Sequence, residues 1–180
     1  MSQSWVEHYV DWATSCTDAP EIYHQFAAYS ILGTALGRRV YFRAGDFEIY
    51  PNLWILLLGT SSVSRKSTAI AMARRVLSAV DDQCVYPTEF SHEKIVEIIS
   101  QRPQGSFFFS EFSTLLSLLS RDYMAGTKSM LTELYDAPDH YRRELKKESF
   151  TIERPCLSML GASTLEWFGP KVKAHDFEGG

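Results

Sequence analysis

Apolar positions change period several times along the chain, and each change marks an element. Residues 3–15, "QSWVEHYVDWATS", set Trp5, Tyr9 and Trp12 at helical spacing, which predicts an amphipathic helix. "TDAP" follows, with Thr17 or Asp18 as a candidate cap and Pro20 suited to a first turn. A second helix is expected from about Glu21 to Leu36, where Ala27, Ala28, Tyr29 and Leu32 suit close packing. "RRVYFRAGDFEIYPN" then alternates around Ala44-Gly45-Asp46, the pattern of a β-hairpin. Leu53 to Leu58 breaks that alternation with an unbroken apolar run, as a strand buried in a parallel sheet does.

The same reading continues to the end of the chain. "AIAMARRVL" places Ile70, Ala73 and Leu77 on one helical face, and "QCVYPTEF" reads as a second strand. Ser91 caps a helix running through Ser100, and "RPQGSFFFSEFSTLLSLLS" reads as a third strand entering a helix. A helix at about 127–136 follows a loop containing Gly126. "YRRELKKESFTIE" suggests a second hairpin turning at Lys146-Lys147. "PCLSMLGAST" is a further buried strand, and "LEWFGP" is a short helix stopped by Pro170.

Strands alternating with helices predict a three-layer α/β core with a mainly parallel sheet. The expected division is a helical and hairpin segment at 1–51 packed on a core at 52–180. About four core strands can be counted, where a nucleotide-binding core of this type generally has at least five. The expectation is therefore a core incomplete at its C-terminus.

Composition narrows the class. At 180 residues, 45% hydrophobic and 13% aromatic, the chain is long and apolar enough for one globular domain. Its net charge of −4 lacks the basic footprint that announces nucleic-acid binding, although a local patch or a larger parent protein could supply the contacts. Arg142, Arg143, Lys146 and Lys147 form the one dense basic cluster, diluted by Glu144 and Glu148. Cys16, Cys84 and Cys156 are far apart and odd in number, which suits reduced thiols and a cytoplasmic location. The longest apolar stretches are too short to span a membrane, so no membrane partner is expected.

Candidate chemistry centres on "LWILLLGTSSVSRKST". A strand, a turn at Gly59, a small-residue loop and Lys66-Ser67-Thr68 opening a helix form the arrangement of a phosphate-binding loop. Backbone N–H groups at such a helix start face phosphate oxygens, the lysine adds a point charge, and the next hydroxyl ligates Mg²⁺. The candidate nucleotide contacts are Gly59, Thr60, Ser61, Ser62, Val63, Ser64, Arg65, Lys66, Ser67 and Thr68. Two features depart from the usual pattern: five residues separate Gly59 from Arg65, one more than usual, and Arg65 stands where glycine is usual. Glycine there tolerates unusual backbone angles.

"GSFFFSEF" supplies the acidic partner strand, ending in Ser110 and Glu111. Ser110 stands where an aspartate usually binds the metal through water, and it brings no charge. Glu111 is the candidate general base, metal partner or both, with a helix-start carboxylate as the plainer alternative and Glu89 as a rival base. Ser163 and Thr164, closing "CLSMLGAST", could sense the terminal phosphate or cap the following helix. The candidate set is thus Lys66 and Glu111 for catalysis, Ser67, Ser110 and Glu111 for the metal, and ATP with Mg²⁺ as ligands. No Asn-Lys-x-Asp motif suggests guanine, and no arginine-rich lid suggests a small-molecule kinase.

The order "APEIYHQFAAYSILGTALGRRVYF", "IYPNLWILLLGTSSVSRKSTA", "FFFSEFSTLL", "ELYDAP" and "LSMLGASTLEWF" resembles a family of phage- and plasmid-associated, helicase-like ATPases often joined to primase domains. Relatives also carry Arg-Lys-Ser in place of Gly-Lys-Ser. The resemblance implies a RecA-like P-loop NTPase fold and a helicase-like role in DNA replication of a mobile element. By it, Lys66 and Ser67 become the phosphate and Mg²⁺ contacts and Glu111 the acidic-strand glutamate, while Ser110 departs from the relatives' Asp-Glu form. Relatives continue past a glycine pair like Gly179-Gly180 into a segment bearing an arginine, so this chain resembles a C-terminally truncated member. Implied partners are a nucleotide, single-stranded or duplex DNA, a primase, and further copies of the chain in the full-length form. The alternative is a nucleotide-binding regulatory or assembly module that does not hydrolyse.

Overall fold

Helix α1 (Trp5–Cys16) opens on a capping box, in which the Ser4 hydroxyl accepts from the Glu7 N–H and the Glu7 carboxylate accepts from the Ser4 N–H. The computed structural model describes residues 3–60, 64–144 and 149–169. Tyr9, Val10 and Ala13 form the buried face of α1, and the rings of Trp5 and Trp12 flank Tyr9 at 5.6 and 5.7 Å.

Helix α2 (Glu21–Leu36) has the expected bounds but not the expected cap. Pro20 occupies the N-cap position without a side-chain bond, Thr17 Oγ1 accepts from the Ala19 N–H, and Asp18 pairs with Arg65 instead. Pro20 pre-sets the entry, and Gly37, at φ +50°, stops the helix. His24 is fully buried in α2, and neither ring nitrogen has a hydrogen-bond partner. Burial pulls its pKa below the usual imidazole value.

The hairpin β1 (Phe42–Ala44) and β2 (Phe47–Ile49) turns at Gly45, as its alternation predicts. There follow β3 (Trp54–Leu58), α3 (Lys66–Asp81), α4 (His92–Gln101), β4 (Gln104–Phe109), α5 (Phe112–Leu119), α6 (Ala125–Tyr135), β5 (His140–Glu144), β6 (Ser149–Glu153), β7 (Cys156–Ser163) and α7 (Leu165–Phe168). Gly126 lies within α6, not in a loop before it. The hairpin β5–β6 pairs His140 with Glu153 through Glu144 with Ser149; its expected turn at Lys146-Lys147, and Pro170, lie outside the described residues.

Three parallel strands form the central sheet in the order β3-β7-β4. Both faces are covered, which makes three layers. On one face α1, α2 and α3 pack Ala27, Ile31, Ile70 and Leu77 against Leu57, Phe108 and Leu160. On the other, α4, α5, α6 and the second hairpin pack Ile95, Leu115, Leu134 and Ile152 against Phe107, Phe109, Leu157 and Met159. The central β7 is buried along its whole length, which explains its continuous apolar run.

Two strand expectations need correction. β3 is not a fully buried strand: it lies at the edge of the described sheet, only Leu57 is buried, and Trp54 remains 37% exposed. "QCVYPTEF" contributes a single bridge, Val85 to Ser106, with the Tyr86 N–H donating to the Ser106 carbonyl at 3.0 Å. Pro87 has no N–H with which to extend that ladder. Tyr86 is nevertheless held, its hydroxyl donating to the Arg102 carbonyl and its ring lying 4.8 Å from that of Phe107.

Arg38, just past α2, ties residues 1–51 to the rest. Its buried guanidinium donates to the Ala137 and Pro138 carbonyls, the Tyr50 hydroxyl and the Asp139 carboxylate, and stacks 4.0 Å from the Tyr50 ring centre. Among the described residues, no helix is long and apolar enough to cross a membrane.

Candidate functional site

Parallel register brings three carboxyl ends to one edge. Leu58 of β3 stands opposite Ser163 of β7, and Phe109 of β4 stands opposite Gly161. The residues that follow each strand therefore converge, in the crevice where open α/β sheets bind ligands.

At the end of β3, the Tyr23 hydroxyl donates to the Leu58 carbonyl at 2.8 Å. The same hydroxyl would lie 2.4 Å from a Cβ on Gly59, so a side chain there would displace Tyr23 from its bond to the Leu58 carbonyl. Ser61, Ser62 and Val63 lie outside the described residues. The loop resumes at Ser64, and Arg65 occupies the N-cap of α3 at φ +48°, ψ +26°. The backbone thus takes the left-handed conformation that glycine ordinarily supplies, with an arginine in its place. Arg65 Nε lies 3.0 Å from the Asp18 carboxylate, and no side chain among the described residues caps α3. The Thr68 and Ala69 N–H groups return to the Arg65 carbonyl at 3.1 and 3.2 Å, and helix geometry gives those of Lys66 and Ser67 no intrahelical acceptor.

Lys66 begins α3 and is only 8% exposed. Its ammonium donates to the Gly59 and Thr60 carbonyls at 2.9 Å each and to Ser64 Oγ at 2.8 Å, which matches its three N–H bonds. Gly59 and Thr60, expected to touch a ligand, thus serve as acceptors for the lysine.

Across from Lys66, Ser110 and Glu111 follow β4. Glu111 is the N-cap residue of α5, yet its side chain accepts no capping bond. Ser163 is buried at the tip of β7, while Thr164 Oγ1 accepts from the Trp167 N–H at 3.2 Å and so caps α7. A cavity of about 200 Å³ joins these ends, lined by Ser64, Arg65, Lys66, Ser67, Thr68, Ser110, Glu111, Ala162, Ser163 and Thr164. Of these, only Ala162 is not a sequence candidate; as the apolar residue preceding Ser163 in a buried strand, it carried no chemical signal.

Glu89 is elsewhere. It lines a separate groove of about 670 Å³ with Ser91, Thr114, Arg121, Tyr123 and Trp167, away from Lys66. The walls of that groove come from the segment before α4, from α5 and from α7, a combination that no local sequence pattern announces.

The chain matches no protein-family model and no curated protein. What the site can do is therefore read from its own chemistry. Two cations, several hydroxyls, helix-start N–H groups and, among the described residues, one carboxylate around a small cavity suit an anion with several oxygens.

Proposed function

We propose that this cavity receives the phosphate chain of ATP with Mg²⁺, and that the chain is an ATP-hydrolysing module of RecA-like P-loop type. The observation that carries this reading is the convergence of Lys66-Ser67, at a helix start after a parallel strand, with Glu111 at the tip of another strand. A volume near 200 Å³ suits phosphates, with the nucleoside lying outside.

The oxygen donors fit the metal. Ser67 and Ser110 hydroxyls and the Glu111 carboxylate are hard ligands of the kind Mg²⁺ takes, with remaining positions left to water and phosphate. When bound, the ion would neutralise phosphate charge. Among the described residues, no group of three or more His, Cys, Asp or Glu side chains could hold a metal ion, so the ligand's own oxygens complete the set. Lys66 exchanges a loop acceptor for a phosphate oxygen, and Glu111 orients and deprotonates the attacking water. Ser163 offers a hydroxyl to the terminal phosphate, and Thr164 couples that strand tip to α7 through its cap.

The cellular role that accords with this chemistry is helicase-like work in DNA replication of a mobile element, with DNA, a primase and further copies of the chain as partners. The resemblance in motif order supports that part. A second reading, a nucleotide-binding assembly module without turnover, is favoured by the uncharged Ser110 and the lone carboxylate on the cavity wall.

Calorimetry with ATP and Mg²⁺ on the wild type, Lys66→Ala and Ser67→Ala tests the site, with phosphate release followed on the same samples. Binding lost in both folded variants is the expected result; no binding by a folded wild type refutes the reading. Turnover that disappears in Glu111→Gln while binding persists selects the ATPase, and binding without turnover selects the assembly module.

A further inference from the structure

We propose that Arg65 is a reserve ligand for the bound phosphate, held off it by Asp18, so that the α1–α2 connection and the phosphate compete for one guanidinium. The inference rests on the phosphate-site reading given above and adds a positioning role for a residue far away in sequence.

The segment 17–23 touches the loop at both ends. Tyr23 holds its start through the Leu58 carbonyl, and Asp18 holds its end through Arg65. The two contacts differ in kind. Tyr23 is partly buried, and its hydroxyl packs closely against Gly59, where a Cβ would lie 2.4 Å away. The Asp18–Arg65 pair is open to solvent, its side chains 73% and 53% exposed. An ion pair so exposed is weak and readily exchanged. The start of the loop is thus fixed and its end is held by a contact that a stronger anion can take over.

Arg65 is placed to make that exchange. It already lines the cavity beside Lys66 and Ser67, at the position from which α3 begins. Only its side chain need move. A left-handed backbone position favours glycine, so the conformation gives no reason for an arginine here; its side chain must supply one. Guanidinium binds phosphate through several directed N–H bonds, which a single exposed carboxylate cannot match inside a partly enclosed cavity. Lys66 is engaged with three loop acceptors, so a second cation beside it adds to the charge that can meet a phosphate.

Removing the competitor should tighten ligand binding. Asp18→Asn is expected to lower the Kd for ATP–Mg²⁺ by about two- to fivefold, the range set by an exposed ion pair. The gain should vanish in an Arg65→Gly background, which itself binds more weakly than wild type. Glu21→Gln, the same charge change on the same segment, should leave Kd unchanged. A merely structural Asp18 would give no gain in affinity and no dependence on Arg65. If the wild type binds and Lys66→Ala does not, yet Asp18→Asn binds no tighter, or gains equally without Arg65, the competition is refuted while the site survives. If neither wild type nor Asp18→Asn binds, the phosphate reading fails and this inference fails with it.

Discussion

Arg65 invites a comparison of two substitutions that should reverse their usual order. Arg65→Ala and Arg65→Gly both delete the side chain and its ion pair with Asp18, so their difference isolates the backbone at φ +48°. A residue with a Cβ pays roughly 1–2 kcal/mol to sit in the left-handed region. Glycine avoids that strain but loses about 0.5–1 kcal/mol more in chain entropy on folding. The net expectation is that Arg65→Gly is more stable than Arg65→Ala by about 0.5–1 kcal/mol. At an ordinary helix position the order is the opposite. Urea unfolding followed by circular dichroism would read the difference, and a thermal scan should separate the variants by about 1–4 °C for a chain of this size. Alanine equal to or more stable than glycine would refute the left-handed geometry, and with it the case that the side chain is what holds arginine in place.

Three further outcomes follow from the packing. Arg38→Met leaves the Ala137 and Pro138 carbonyls without their donor and should cost about 2–4 kcal/mol in chemical unfolding, whereas Asp139→Asn, at a 73% exposed partner, should cost less than about 1 kcal/mol. His24 and His92 both have pKa values lowered by burial, the Arg143 charge adding to the effect at His92. The unfolded chain then takes up protons first, so their contribution to stability is present above about pH 6.5 and is lost as pH falls below it; His24→Leu should flatten the slope between pH 7 and 5. Lys66→Met leaves the Gly59 carbonyl without its lysine donor, while the Thr60 carbonyl keeps the Ser64 hydroxyl, and should destabilise by about 1–3 kcal/mol even without ligand, measurable as a lower urea midpoint.

The elements that sequence predicted well are those with local punctuation. Pro20 and Gly37 bracket α2, Gly45 sets the first hairpin, and the Ser91 hydroxyl accepts from the Lys94 N–H to start α4. The convergence on one candidate cavity was legible for a related reason: in a parallel sheet, residues just beyond the strands come together, and Lys66, Glu111 and Ser163 each follow or end an apolar run. What depended on distant partners was not legible. Pro87 reduces an expected strand to one bridge, and β3 has no second neighbour among the described residues, so its apolar run overstates its burial. Asp18 leaves its own helix for Arg65, and Arg38 finds acceptors about a hundred residues away. No periodicity encodes such pairings.

The central place of β7 has a consequence for synthesis. It comes last in the chain of the three sheet strands, yet it lies between the other two, and β3 and β4 share no ladder of their own. A nascent chain that has emerged only to residue 155 carries Lys66 and Glu111 beyond the ends of two strands that share no ladder to align them. Both strands must wait, with the inner edges of their backbones unpaired, until residues 156–163 leave the ribosome and zip the sheet from its middle. Such late, long-range closure is slow and leaves the partly made chain open to wrong pairings. The interval between making β4 and making β7 is therefore the one in which the growing chain holds two strands of its central sheet without their shared partner.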